Sequence, residues 1–466
     1  MEHNTFHKAL EIMSESCKGC SHCIKVCPTE ALRVVNGKAM LYADWCIDCG
    51  ECFRVCQNRA IRVIDDDFNE IYNYKRRILL VPVVFYAQFE ENIPRRIINQ
   101  ILYELGFSEI YPVEQSVDTL ISEINSYIKN SVEKPIISSF CPAVIRLIQV
   151  RFPALIDKIM LLIPPLEVTA QYYLRKTQKE GGNLDDLGIF YMTPCIAKIA
   201  AIKSPVGGYE SPINGVINMD YVYNKVLYAY KNKNYSEPSI VTNEEISSKG
   251  AMWPNTGGES ACIEGRSLAI DGMSNVIEFL EKLENDEIEE GIDYLELRGC
   301  DESCAGGILL QNNRFIINDY LKRRAAEYSR THKLIDEYKE LCSAHIRMDK
   351  IEPRSMVKYD RDIDIALKKM EKAQMLKKIL PDIDCGACGA PSCEALAADI
   401  VRDDASLMNC IFMQKRFEKE GSMNLAEGID IMEHIWGKER FVNKERATDH
   451  YYKDYYENLF KKINNK

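Results

Sequence analysis

No apolar run in this chain approaches the roughly 20 residues that a membrane helix needs. The longest, Ile78–Val84 and Ile159–Leu166, are short, which excludes a helical membrane span. The first residues, Met1 to Leu10, are polar and hold no signal-peptide core. The expected compartment is therefore the cytoplasm. No basic block is present to neutralise phosphates, and the net charge of -11 excludes nucleic acid as a partner. What the chain has in quantity is cysteine, 18 in 466 residues. The cysteines cluster at metal-ligand spacing, which points to cofactor binding in a reducing compartment and not to disulfides. Exposed clusters are oxygen-labile, so an anaerobic source is expected. A hydrophobic fraction of 46% and a charged fraction of 28% are those of a soluble globular protein. The length allows about three domains.

The densest motif is Cys17-x2-Cys20-x2-Cys23-x3-Cys27-Pro28, repeated as Cys46-x2-Cys49-x2-Cys52-x3-Cys56. Eight thiolates at this spacing are the ligand set of two [4Fe-4S] clusters, the bacterial ferredoxin run. Three cysteines of each motif hold one cluster and the fourth reaches across to the other. The second motif has Gln57 in place of the closing proline, with its cysteine spacing intact. Between the motifs, Leu32–Val35 and Ala39–Tyr42 predict a hairpin around Asn36-Gly37. Residues 1–75 thus form a ferredoxin-like α+β module that carries electrons.

From Arg76 the pattern alternates between strands and helices. Ile78–Phe85, Glu109–Val113, Pro135–Phe140, Leu187–Met192 and Tyr294–Arg298 read as strands. Pro94–Leu105, Val117–Ile128, Pro142–Val150 and Val276–Leu283 read as helices. The alternation predicts α/β architecture with mainly parallel sheets, where ligands gather at the carboxyl ends of strands. Cys141, Cys195 and Cys300 stand at such ends, and Cys304 follows before Gly306-Gly307. A lone buried cysteine is more often a small core residue than a ligand. Together these four favour a site, because four soft thiolates can close a cubane.

The segments Ser138-Ser139-Phe140-Cys141-Pro142, Thr193-Pro194-Cys195-Ile196-Ala197-Lys198 and Cys300-x3-Cys304-Ala305-Gly306-Gly307 resemble the three H-cluster motifs of the [FeFe]-hydrogenase large-subunit family. The resemblance runs from about Lys75 to Phe315, with the ferredoxin module ahead of it in the family's order. It implies a two-lobed central domain, residues 76–345. It also implies that Cys141, Cys195, Cys300 and Cys304 hold a [4Fe-4S] subcluster. Cys304 would bridge to a two-iron subcluster carrying CO, cyanide and a dithiolate. Lys198 falls where the family has a lysine that hydrogen-bonds a cyanide, a charge-assisted contact.

The departures are as telling. Active members have two adjacent cysteines in the first motif, the first relaying protons; Phe140 replaces that relay. Thr193 and Arg298 stand where methionines are usual, and Ala200-Ala201 replaces a glutamate region. A phenyl ring neither donates nor accepts a proton. Positioned acid–base groups supply about 10²–10⁴-fold, so hydrogen turnover is expected to be slow or absent with the electron wiring retained.

Residues 320–380 read as a charged, largely helical connector. Beyond it, Cys385-x2-Cys388-x4-Cys393-x16-Cys410, with Gly386, Ala387 and Gly389 between ligands, is similar to the single-cluster 4Fe-4S domain of redox-complex and corrinoid proteins. Residues 346–420 hold the connector helix and this small, mainly helical module, and 421–466 a polar Tyr-rich helical tail. The full order resembles the sensory branch of the hydrogenase family. Its implied cofactors are four [4Fe-4S] clusters and the two-iron subcluster. Its implied partners are ferredoxin or another Fe-S subunit, and a PAS, kinase or phosphatase protein on a separate chain. The leading expectation is a redox or hydrogen sensor. One alternative is a ferredoxin-linked hydrogenase with another proton route, through Cys262 or Glu123. Another is a non-catalytic iron–sulfur scaffold or electron-transfer subunit. Cys262 and Cys342 fit no ligand spacing and read as packing residues.

Overall fold

The computed structural model describes residues 7–238, 246–326, 328, 335–354 and 362–441. Parts of the charged connector and residues 442–466 of the tail lie outside these. The architecture is mixed helix and sheet in several domains. The strands, in chain order, are β1 (Leu10–Ile12), β2 (Leu32–Val35), β3 (Lys38–Leu41), β4 (Ile61–Val63), β5 (Arg76–Val81), β6 (Glu109–Pro112), β7 (Ile136–Ile137), β8 (Leu187–Thr193), β9 (Gly215–Asn218), β10 (Ser267–Asp271) and β11 (Tyr294–Arg298). Among the described residues no helix is long and apolar enough to cross a membrane.

The chain divides into two compact units that do not follow sequence order. One comprises residues 1–13, 26–31 and 42–358; the other comprises 14–25, 32–41 and 359–466. The first contains two parallel sheets. One has the order β6-β5-β8-β9, the other β10-β11-β7, and an antiparallel β1-β4 pair lies in the same unit. Strand β8 is buried along its whole length, as its near-continuous apolar sequence requires of a strand covered on both faces. Leu79, Val81, Phe190 and Ile217 share one core; Ile137, Val144, Ile148, Leu295 and Leu297 share another. Each such side chain contributes about 1.5–3 kcal/mol by leaving water.

Two strands are shorter than the sequence predicts. The first stops at Val81, because Pro82 lacks a ladder donor and caps a short helix, Val83–Tyr86. The run before Cys141 pairs as a strand only at Ile136–Ile137; the Ser138 N–H still donates to the Leu295 carbonyl at 2.9 Å before the chain turns toward the site. Strands β9 and β10 and helix Pro165–Lys179 are additions to the elements predicted from sequence.

The second unit joins the β2-β3 hairpin to helices Ile363–Ile379, Cys393–Val401, Ile411–Lys419 and Leu425–Trp436. Leu380, Leu396 and Met413 form its core. The last helix opens with a capping box: the Glu427 N–H donates to Asn424 Oδ1 at 3.0 Å and Glu427 Oε2 accepts from the Asn424 N–H at 2.9 Å.

Candidate iron–sulfur centres

The central quartet is built at strand ends. Cys141 and Cys195 are the N-cap residues of helices Pro142–Arg151 and Ile196–Lys203. Pro142 at the first helical position fixes the turn after Cys141. Cys300 follows β11 after Gly299, and Cys304 lies in the short turn Ser303–Gly306. Glu302 and Ser303 enter that turn in the left-handed region, at φ 61° and 51°. Gly307 is required there: a Cβ would lie 2.7 Å from the Pro194 carbonyl oxygen.

All four thiols line one cavity of about 360 Å³. Burial, reinforced by the other cysteines of the quartet, holds Cys300 well above the ordinary thiol range. Burial likewise pushes Cys195 up to about 11, with Lys198 opposing and Cys141 and Cys304 reinforcing. Thiols that resist ionisation alone become thiolates only against a strongly cationic centre. The Gly299 N–H donates to Cys141 Sγ at 3.4 Å, the kind of bond that supports a cluster thiolate. Among the described residues no three His, Cys, Asp or Glu side chains close on a single ion.

A second, larger cavity adjoins the first. Of the four cysteines only Cys304 lines both. Phe140, Lys198 and Arg298 also line both. Phe140 stacks obliquely against Trp253, with centroids 6.0 Å apart. Burial works against the Lys198 charge, but the charges of Tyr191, Cys304 and Cys195 outweigh it and hold the pKa above the ordinary value. Arg298 is ion-paired with buried Glu259 and lies 3.6 Å from Glu296. Two further carboxyls line the large cavity, Glu114 and Glu167, both pushed up to about 7 by burial. Glu114 accepts from the Val83 N–H at 3.1 Å and Glu167 from Ser211 Oγ at 2.8 Å. Sequence reasoning missed both. The available signal was a single carboxylate inside an apolar run, as in Leu161–Val168.

The second ferredoxin motif lies against this site. Cys46, Cys49, Cys52 and Cys27 come together. Burial holds Cys46 and Cys49 well above the ordinary thiol range, and the charges of Cys52 and Cys27 add to it. Cys49, Cys141 and Cys195 pack against one core. Arg54 donates to the Gly306 carbonyl at 3.2 Å, and a Cβ on Gly50 would lie 3.0 Å from Ile196 Cδ1. Cys56 Sγ accepts from the Ala60 N–H at 3.2 Å.

Cys17, Cys20 and Cys23 stand in the other unit, with the C-terminal quartet. Cys385, Cys388, Cys393 and Cys410 line one cavity of about 270 Å³. Burial pushes Cys388 up to about 11, with Cys385 and Cys410 reinforcing. Cys342 is buried and its thiol faces the Val168 carbonyl at 3.8 Å; Cys262 faces the Gly258 carbonyl at 3.5 Å. Neither thiol, nor Glu123, lines the cavities described above.

Three family models match parts of the chain. Residues 80–258 match the family model of the iron only hydrogenase large subunit, C-terminal domain. Residues 16–61 match a 4Fe-4S dicluster domain, and residues 380–412 an Fe-S cluster domain. An uncharacterized protein of Methanocaldococcus jannaschii is 31% identical over 74 residues, 16% of this chain. The chain spans only 33% of that relative's length. Among solved structures, the [FeFe]-hydrogenase HydA(deltaEFG) superposes at a TM-score of 0.47 with 13% identity, covering 62% of this chain and 98% of that one. A variant of [FeFe]-hydrogenase HydA1 from Chlamydomonas reinhardtii gives 0.46 and 14%, covering 60% and 95%. The chain is thus an iron–sulfur protein. Its central domain makes it [FeFe]-hydrogenase-like.

Proposed function

We propose that this protein is a redox or hydrogen sensor of the hydrogenase type, which moves electrons among four [4Fe-4S] clusters and turns hydrogen over slowly or not at all. The carrying observation is the pairing of Cys304 with Phe140. Cys304 is the one cysteine of its quartet that faces both cavities, as a bridging ligand must. Phe140, beside it on the same walls, offers no proton relay.

In this reading the eight cysteines of the two ferredoxin motifs hold two clusters. Cys141, Cys195, Cys300 and Cys304 hold a third, and Cys385, Cys388, Cys393 and Cys410 the fourth. A two-iron subcluster in the large cavity would supply the hydrogen-binding chemistry. Lys198 would present its ammonium to a cyanide there, and Phe140 and Trp253 would exclude water. The partners would be ferredoxin or another Fe-S subunit, and a signalling protein with a PAS, kinase or phosphatase domain.

The test is maturation with the two-iron precursor. Infrared bands of CO and cyanide with very low hydrogen turnover support the reading. About 16 irons, at four per cubane, without diatomic bands would make the chain a scaffold or electron-transfer subunit.

A further inference from the structure

We propose that the cluster of the C-terminal quartet exchanges electrons directly with the cluster of the first ferredoxin motif, across a joint clamped by Trp436 and Arg440. The inference rests on the proposed occupancy of both sites.

The two ligand loops touch. Gly386, next to Cys385, faces the residues that follow Cys23: a Cβ on it would lie 3.9 Å from Ile24 Cδ1 and 3.8 Å from Lys25 Cε. Gly389, next to Cys388, accepts from the Val34 N–H at 2.8 Å. Its φ of +82° and the 2.5 Å that a Cβ would leave to the Val34 carbonyl oxygen require glycine. The hairpin carrying Val34 also serves the first motif. Lys38 Nζ donates to the Cys17 carbonyl at 2.8 Å, and the Ala39 N–H donates to Cys17 Sγ at 3.3 Å. One hairpin therefore bonds to both cluster loops.

A single segment then ties the loops together. Trp436 Nε1 donates to the Ala387 carbonyl, between Cys385 and Cys388, at 2.8 Å. Arg440 donates to the carbonyls of Lys18 and Gly19, between Cys17 and Cys20, the second at 2.8 Å. The Arg440 guanidinium lies 5.6 Å from the Trp436 ring centroid. The hairpin tip is fixed to the same segment: the Asn36 and Gly37 N–H groups donate to the His434 and Ile435 carbonyls, each at 2.9 Å. Below it, buried Arg33 grips Asp399 of helix Cys393–Val401 through two bonds, at 2.5 and 3.0 Å. A buried bidentate pair fixes orientation as well as distance.

The step is one electron passing from a reduced [4Fe-4S] cluster to an oxidised one. No bond breaks and no proton moves. Trp436 and Arg440 are positioning residues, holding the two loops at fixed separation.

The test uses the full-length chain, loaded with all four clusters and reduced with dithionite, followed by electron paramagnetic resonance with power saturation. Two reduced clusters in contact-range loops should show spin–spin broadening and fast relaxation. Cys388→Ser should remove about four irons and with them that broadening. Arg440→Gln combined with Trp436→Phe should keep the full iron content yet lose most of the coupling, which a merely stabilising clamp would not do. Full iron with a wild-type spectrum that is the simple sum of separate cluster signals overturns the inference alone. A wild-type chain already short of about four irons overturns the reading beneath it as well.

Discussion

Arg146 and Asp48 form an ion pair at 2.7 Å, with side chains 1% and 4% exposed. Asp48 lies between Cys46 and Cys49; Arg146 lies on the helix that Cys141 caps. The pair therefore pins the second ferredoxin loop to the central quartet. Burial pushes Asp48 up to about 6, with Arg146 opposing. The Ala9 N–H donates to its other oxygen at 3.2 Å.

Removing one partner of such a pair leaves a buried charge alone and costs about 3–5 kcal/mol. Arg146→Met should lower the denaturation midpoint sharply and release iron from the second-motif cluster. Adding Asp48→Asn should recover part of the loss. Midpoints and iron contents of the wild type, the two single variants and the double variant check this. An Arg146→Met protein of unchanged midpoint contradicts it.

Arg298 and Glu259 offer a parallel case beneath the large cavity. Arg298→Met leaves Glu259 buried with no guanidinium. It should cost about 3–5 kcal/mol, measured by denaturant unfolding. Arg298→Met with Glu259→Gln should be milder than Arg298→Met alone. Equal losses would show that the pair is not coupled.

Glu167 makes stability depend on pH in a defined direction. Its folded pKa is about 7, against an ordinary value of 4.5, because burial favours the protonated carboxyl. The folded state thus holds this proton more tightly than the unfolded one. The stability it confers is complete below about pH 4.5 and is lost as pH rises through about 7. The span corresponds to about 3 kcal/mol. Melting temperature should fall across this window, and Glu167→Gln should flatten the slope. A slope unchanged by the substitution contradicts the assignment.

Much of this was legible in the sequence, for physical reasons. Cubane ligands have fixed spacing because a short loop must wrap the cluster, so Cys46–Cys56 and Cys385–Cys410 announce themselves. The strand-end cysteines were legible because Pro142 and Pro194 mark the turns that leave β7 and β8. What was hidden depends on contacts between distant residues. Nothing local to Asp48 shows that Arg146 will meet it 98 positions later. Nothing local to Val34 shows that Gly389 will accept its N–H. Glu114 and Glu167 are buried by walls drawn from distant segments of the chain.

The most direct test of the central claim compares hydrogen turnover in the wild type and in Phe140→Cys, both matured with the two-iron precursor and matched by their infrared bands. The account predicts that restoring a thiol at this position raises turnover by about 10²–10⁴-fold with the bands retained. Equal turnover in the two proteins, at the level of a metabolic hydrogenase, would contradict it.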